Sequence, residues 1–396
     1  MFFYGQIVSL MGTYIQNLAL GWLIYRLTDS PFLLGLVGFA GQIPSLFLTP
    51  IAGVYADRVN RRYVLIGSQA LSMVMAFTLA ALYLTGVLQI WHIILIAVIN
   101  GVSLAFDTPF RHAFLLEMVG DRDLLQNAIA LNSTLINSAR FIGPTIGGFI
   151  IALLGEGWCF IINGLSFMAV IASLMSMRVK PMNTHHHHGS IFQELAEGLA
   201  YSYRNKTIRY LLLLISSIGF IGLPFQVFMP VFARDILHGN SQLLGFLTGS
   251  LGAGALVGAF YLASRKSIRS LPKIILVSSI LFGIGLFVFS LSSNTAVSLG
   301  VIFITGFGMI VQFAATNTLL QHIVDEDKRG RVVALYGLSF MGITPLGSLL
   351  LGSISPTIGV QLTLAIAGLL CLFAVVLFGR KYGTIAQTVK RFENSH

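Results

Sequence analysis

Twelve long apolar runs, parted by short breaks that carry turns or charge, constrain this chain more than any other feature. Two of them flank Gly53-Val54-Tyr55-Ala56-Asp57-Arg58-Val59-Asn60-Arg61-Arg62, a glycine followed by a knot of charge. The flanking runs, 32–55 and 63–86, are each long enough to cross a hydrocarbon layer of about 30 Å as a helix. The charged stretch therefore reads as a membrane-surface hairpin. The same reasoning places spans near 2–26, 32–55, 63–86, 90–115, 124–153, 157–178, 207–235, 242–264, 272–292, 296–320, 330–354 and 357–380.

Composition supports this reading. Of 396 residues, 56% are hydrophobic and 10% charged, with mean hydropathy +0.85, whereas a soluble domain carries about 25% charged residues. The net charge of +10 does not point to nucleic acid, because the Lys and Arg sit in short breaks between apolar runs. Cys159 and Cys371 lie inside apolar runs, so a disulfide framework or a paired-cysteine metal site is not expected. The first run is long and leads straight into the second, which is unlike a cleavable signal peptide.

Charge asymmetry sets the expected orientation. Arg58, Arg61, Arg62, Arg122, Arg178, Lys180, Arg204, Lys206, Arg265, Lys266, Arg269, Lys273, Lys328, Arg329, Lys390 and Arg391 fall on one side, and Arg26 and Arg234 on the other. By the positive-inside rule both termini and the central segment are cytoplasmic, in an inner membrane. The expected organisation is a bundle over 1–178, a linker over 179–206, a second bundle over 207–380 and a cytoplasmic tail over 381–396. Within the linker Ile191, Phe192, Leu195 and Leu199 recur at helical spacing, with Glu194, Glu197 and Arg204 on other faces. This predicts a short amphipathic helix on the membrane or on the bundle ends. The preceding His185 to His188 run reads as solvated rather than metal-binding.

The chain repeats itself. Leu115-Leu116-Glu117-Met118-Val119-Gly120-Asp121-Arg122-Asp123 aligns with Leu319-Leu320-Gln321-His322-Ile323-Val324-Asp325-Glu326-Asp327 at an offset of 204, which also pairs Gly143 with Gly347 and Gly148 with Gly352. Six spans plus six of like orientation imply two halves about a central pathway, the arrangement that supports alternating access.

Intramembrane polar residues are expensive and so are candidates for function. Arg140 lies about 28 Å along the fifth span from Asp121, and Asp107 about 24 Å below Trp91. Arg140 reads as an anion or substrate ligand, a gate, or a cap on helix carbonyls. Asp107 reads as a proton carrier or as the ion-pair partner of Arg111, one turn on. Gln16, Asn17, Asn132, Asn137, Gln226, Gln312 and Asn317 are amides that should avoid lipid and either line the substrate path or join helices. Gly143, Pro144, Gly147 and Gly148 provide a bendable, closely packed stretch. Gly252-Ala253-Gly254 with Gly258 looks like a dinucleotide fingerprint but sits inside an apolar span with no strand before it. There is no HExxH, GxSxG or P-loop, so neither an enzyme nor a cofactor is expected, and ATP-driven transport would need another subunit.

The Gly53 to Arg62 loop resembles the GxxxDRxxRR signature of the major facilitator superfamily. Gly143-Pro144-Thr145-Ile146-Gly147-Gly148 resembles the end of its antiporter motif, with Ala139 in place of the first glycine. The run from Gly5-Gln6 to Arg26-Leu27-Thr28, with Asp107-Thr108-Pro109-Phe110-Arg111, is similar to the transmembrane secretion effector branch, which includes enterobactin-exporter-like proteins. The resemblance implies a twelve-helix, all-α fold of two six-helix bundles, and a cytoplasmic gate formed by Gly53, Asp57, Arg58, Arg61 and Arg62, with Glu117 as partner of Arg61. It also implies proton antiport of a siderophore-like or amphipathic small molecule. The chain departs from the superfamily's RxxQG pattern at Ile96. The alternatives are a lysophospholipid or lipid mover without proton coupling and, from another class, a membrane-embedded enzyme or receptor. Expected partners are the small-molecule substrate, protons and membrane lipids, with no nucleic acid, acting as a monomer.

Overall fold

The computed structural model describes residues 2–55, 59–119, 122–177, 191–265 and 267–394. Asp57 and Arg58, Arg178, Lys180, the His185 to His188 run and Lys266 lie outside them. Among the described residues twelve helices are long and apolar enough to cross a membrane, and there is no strand. Helix is the outcome expected of a backbone that must satisfy its own hydrogen bonds in hydrocarbon.

The helices are α1 (Phe2–Thr28), α2 (Pro31–Tyr55), α3 (Arg61–Leu84), α4 (Ile90–Val119), α5 (Arg122–Leu154) and α6 (Glu156–Ser176), followed by the linker helix α7 (Ile191–Arg204). The later spans are α8 (Lys206–Ile236), α9 (Ser241–Ala263), α10 (Leu271–Leu291), α11 (Thr295–Ile323), α12 (Glu326–Ile358) and α13 (Val360–Gly379), with a terminal helix α14 (Tyr382–Asn394). Gly155 and Gly359 make the sharp breaks before α6 and α13 at φ of +86° and +84°. Only glycine adopts such angles without strain, and the two stand at the repeat offset. The repeat also shows in packing. A Cβ at Gly143 would meet Tyr14 of α1 at 2.8 Å, and one at Gly347 would meet the Phe220 carbonyl of α8 at 1.8 Å.

The chain divides into two units, Met1–His188 with Met229–Gly249, and Gly189–Phe228 with Ser250–His396. In the first, α1 packs on α5 and α6, α2 on α4, and α3 on α4 and α6. Ala52, Leu65, Phe110, Phe114, Val170 and Leu174 form an apolar cluster where α2, α3, α4 and α6 converge below the charged loop. In the second, α10 packs on α11 and α13. The span α8 is not one regular helix: an α-helical start at Lys206–Ser217 gives way to wide and tight turns around Gly219, Gly222, Pro224 and Pro230. Each proline removes a backbone donor from the ladder.

Two segments outside the spans are also ordered. The predicted amphipathic linker helix is present as α7, and it lies on a bundle end: Gly198 packs on Arg331, Glu197 pairs with Arg331 at 2.6 Å and the Tyr201 hydroxyl donates to Asp325 at 3.0 Å. The segment expected as a tail, 381–396, carries the helix α14. Ile385 and Val389 of α14, one turn apart, are fully buried, and Thr207 donates to Thr388 at 3.2 Å. That apolar spacing is short and lies among polar residues, so the sequence reading passed over it. Cys159 and Cys371 are buried free thiols.

Candidate functional site

At the charged-loop end of the first unit, Asn60 is extended and its side chain accepts from the Arg62 N–H at 3.1 Å, so it starts α3 as a cap. That cap puts Arg61 and Arg62 in the first turn, where the helix dipole disfavours cations. Both find compensation elsewhere. Arg61, largely buried, pairs with Glu117 of α4 at 3.4 Å, and Arg62 donates to the Met175 carbonyl near the C-terminus of α6 at 2.5 Å. Gly53 is less constrained, since a Cβ there would meet no atom of the described residues within 4 Å.

Asp107 is 4% exposed in α4. It is held by Arg111 on its own helix and by the Gln69 amide of α3, which donates at 2.5 Å. Ser72 and Ser103 continue this polar seam one turn further along, with the Ser103 hydroxyl donating to the Ser68 carbonyl at 2.7 Å. Gln69 escaped the sequence reading because a lone amide in an apolar span carries no sign of its partner. Arg140 stands apart from this group, donating from Nε to the Tyr14 hydroxyl of α1 at 3.3 Å.

The Gly143 to Gly148 stretch presents bare backbone on two sides. Gly143 and Gly147 lie against Met11, Tyr14, Ile15 and Leu18 of α1. On the other side Gly148 meets Ser241 and Gly245 of α9, the Pro144 carbonyl meets Gly245, and Thr145 fills the space over Gly249. The Ser241 hydroxyl donates to the Gly148 carbonyl at 3.2 Å. Small residues on both helices thus make a close, nearly side-chain-free seam.

A second charged cluster, which the sequence reading did not identify, lies at the opposite end of this unit. The Tyr25 hydroxyl donates to Asp235. Arg234 pairs with Asp29 at 2.6 Å and stands over the Tyr25 ring at 5.3 Å. Arg26, next in the chain, turns to Glu156 at 2.9 Å, and the Tyr83 hydroxyl donates to the same carboxylate at 2.7 Å. Glu156, 3% exposed, falls in the break between the expected spans 124–153 and 157–178, which carries no sign of its burial. As the first residue of α6, however, it lies where a helix N-terminus favours an acid.

The predicted amides divide. Gln16 accepts from Asn163 at 2.9 Å and joins α1 to α6. Asn137 donates to the Ser133 carbonyl at 2.8 Å, and Asn317 accepts from Gln321 at 3.2 Å. Asn132 is buried, whereas Asn17 and Gln226 are exposed. Gln312 is completely buried, and among the described residues neither amide atom has a hydrogen-bond partner. Among the described residues no group of His, Cys, Asp and Glu could hold a metal ion.

The profile of the transmembrane secretion effector family matches residues 1–387. The staphyloferrin A transporter of Staphylococcus aureus is 25% identical over 391 residues, covering 95% of each chain. Macrolide efflux protein A of Streptococcus pyogenes is 23% identical over 386 residues, covering 94% of this chain and 93% of that one. Among solved structures, a bacterial homolog of the human lysosomal transporter Spinster superposes with TM-score 0.72 at 14% identity, covering 98% of this chain and 97% of that one. A D-xylose-proton symporter superposes with TM-score 0.73 at 13% identity, covering 95% and 97%. Likeness at these identities establishes the fold.

Proposed function

The chain belongs to the transmembrane secretion effector family of the major facilitator superfamily, and from that premise we propose that it exports a siderophore-like or amphipathic small molecule by alternating access, in exchange for protons. It is a multi-pass integral membrane protein of a transporter family whose relatives include a siderophore transporter and a macrolide efflux protein. In the proposed topology both termini face the cytoplasm of an inner membrane.

The observation that carries the reading is the buried Asp107, held by one cation and one amide. While Arg111 stays close, the carboxylate is stabilised as an anion. Exchange requires that proton and cargo compete: a cationic or hydrogen-bond-donating part of the cargo takes the place of Arg111 on the carboxylate, and a proton entering Asp107 displaces it. Arg140 beside Tyr14 supplies an anion ligand. Arg61 with Glu117 at one end, and Arg234 with Asp29 at the other, are contacts that open and close in alternation. The Gly-Pro seam between α5 and α9 is the bending element.

The test is transport by purified protein in proteoliposomes, with and without a pH gradient, comparing siderophores, cationic drugs and lysolipids. Gradient-dependent transport that becomes pH-independent in Asp107→Asn supports the reading. Lysolipid movement indifferent to the gradient would replace it with a lipid mover.

A further inference from the structure

We propose that the junction between α7 and α8 binds an anionic phospholipid of the adjoining leaflet. This assignment does not depend on the transport reading. The helix α7 has two faces. Gly198 and Ser202 are buried, and Tyr201 reaches Asp325. On another face Leu199 and Tyr203, one turn apart, are 58% and 71% exposed. An aliphatic and an aromatic side chain left uncovered on one stripe at the mouth of a membrane span match the interfacial zone of a bilayer.

Three cations follow within six residues: Arg204, Lys206 and Arg209. The Arg209 guanidinium stands over two rings, 5.0 Å from the Tyr203 centroid and 5.4 Å from that of Tyr210. Among the described residues none of the three meets a carboxylate, whereas nearby Arg331 is paired with Glu197. The backbone donors at the start of α8 do not serve as the ligand, because the Asn205 side chain already accepts from Thr207 and Ile208. A guanidinium held by aromatic faces keeps its N–H edge available for a phosphate. The flanking Lys206, in the first turn of an apolar span, lies at headgroup level. A free anion would satisfy the cations but leave Leu199 and Tyr203 bare. A phospholipid satisfies both, with phosphate on Arg209 and Lys206 and glycerol and chain along the exposed stripe.

The experiment uses the full chain in detergent, titrated with phosphatidylglycerol or phosphatidylcholine, with retained lipid read by native mass spectrometry and stability by thermal shift. The wild type should retain phosphatidylglycerol in preference to phosphatidylcholine. The combined variant Arg204→Gln, Lys206→Gln, Arg209→Gln should lose that preference by about tenfold or more. A charge-matched control, Lys328→Gln, Lys381→Gln, Lys390→Gln, should keep it, and Arg209→Lys should fall between, since it keeps the charge without the planar stacking. Equal retention by the wild type and the combined variant overturns the proposal, as does equal loss in the control. Displacement of the lipid by millimolar inorganic phosphate also overturns it, assigning the cluster to a soluble anion.

Discussion

Tyr25 and Asp235 are 210 residues apart in the chain, yet the phenol of one donates directly to the carboxylate of the other. Their neighbours extend the contact, because Arg234 reaches both the Tyr25 carbonyl and Asp29. Tyr25 and Arg26 therefore face different partners, tying the end of α1 to the 229–249 segment on one side and to α6 on the other.

These contacts should differ in what they contribute. Arg234 and Asp29 are both partly exposed, and such pairs are worth about 0–1 kcal/mol. Arg234→Gln should thus leave the unfolding temperature within a few degrees of wild type. If the cluster is a gate, Tyr25→Phe and Asp235→Asn should change transport more than stability. Unchanged transport in both variants would remove the gating role.

Around Glu156 the asymmetry of burial predicts an order. Arg26 is half exposed and can rehydrate alone, whereas Glu156 is buried. Arg26→Ala strands the acid with Tyr83 and should cost about 1–3 kcal/mol. Glu156→Gln strands only groups that reach water and should cost less. Thermal unfolding of the two singles and the double, read as a cycle, checks the order.

The glycines give a sharp contrast. A Cβ at Gly148 would lie 2.6 Å from the Ser241 carbonyl oxygen and 3.0 Å from the Gly245 Cα. Neither backbone atom can turn aside, so Gly148→Ala should destabilise by about 1–3 kcal/mol. Gly53→Ala meets no described atom within 4 Å and should change stability by no more than about 0.5 kcal/mol. Loss of transport in a stable Gly53→Ala variant would show that this glycine is needed in another arrangement of the helices.

Removing one member of the Asp107–Arg111 pair should cost about 2–4 kcal/mol, because the other is left inside the helix packing without its counter-charge. The double variant Asp107→Leu, Arg111→Met should recover much of that loss while remaining uncoupled from protons. Denaturation curves of the three variants, beside transport against external pH, separate the structural from the coupling role.

On the alkaline side, the Tyr201 contact that helps to dock the linker helix should persist until strongly alkaline conditions. Burial, ahead of the Asp325 contact, raises the Tyr201 hydroxyl above its ordinary pKa of 10.0. Its contribution is therefore fully present below pH 10 and lost as pH rises through the higher folded value. Tyrosinate absorbance compared between wild type and Tyr201→Phe should show this residue titrating late.

Local patterns were legible in the sequence and remote ones were not. The Asp107–Arg111 contact follows from one-turn spacing, and the Arg61–Glu117 contact was expected from the resemblance of the loop to its superfamily. Gln69, Glu156 and Asp235 could not be matched with partners, because a polar residue in or beside an apolar run does not encode which helix it will face. The terminal helix α14 was missed for a related reason: Ile385 and Val389 mark a buried face only once there is a surface to bury it.

The sequence by itself determined the number of spans and the internal duplication. Those properties follow from the length and placement of apolar runs, and the hydrophobic term that governs them is additive along the chain and indifferent to direction. Which side chains meet was decided only by the tertiary structure. Hydrogen bonds and ion pairs act over a few ångströms and in particular directions, so Tyr25 finds Asp235 only after helix packing has brought them together.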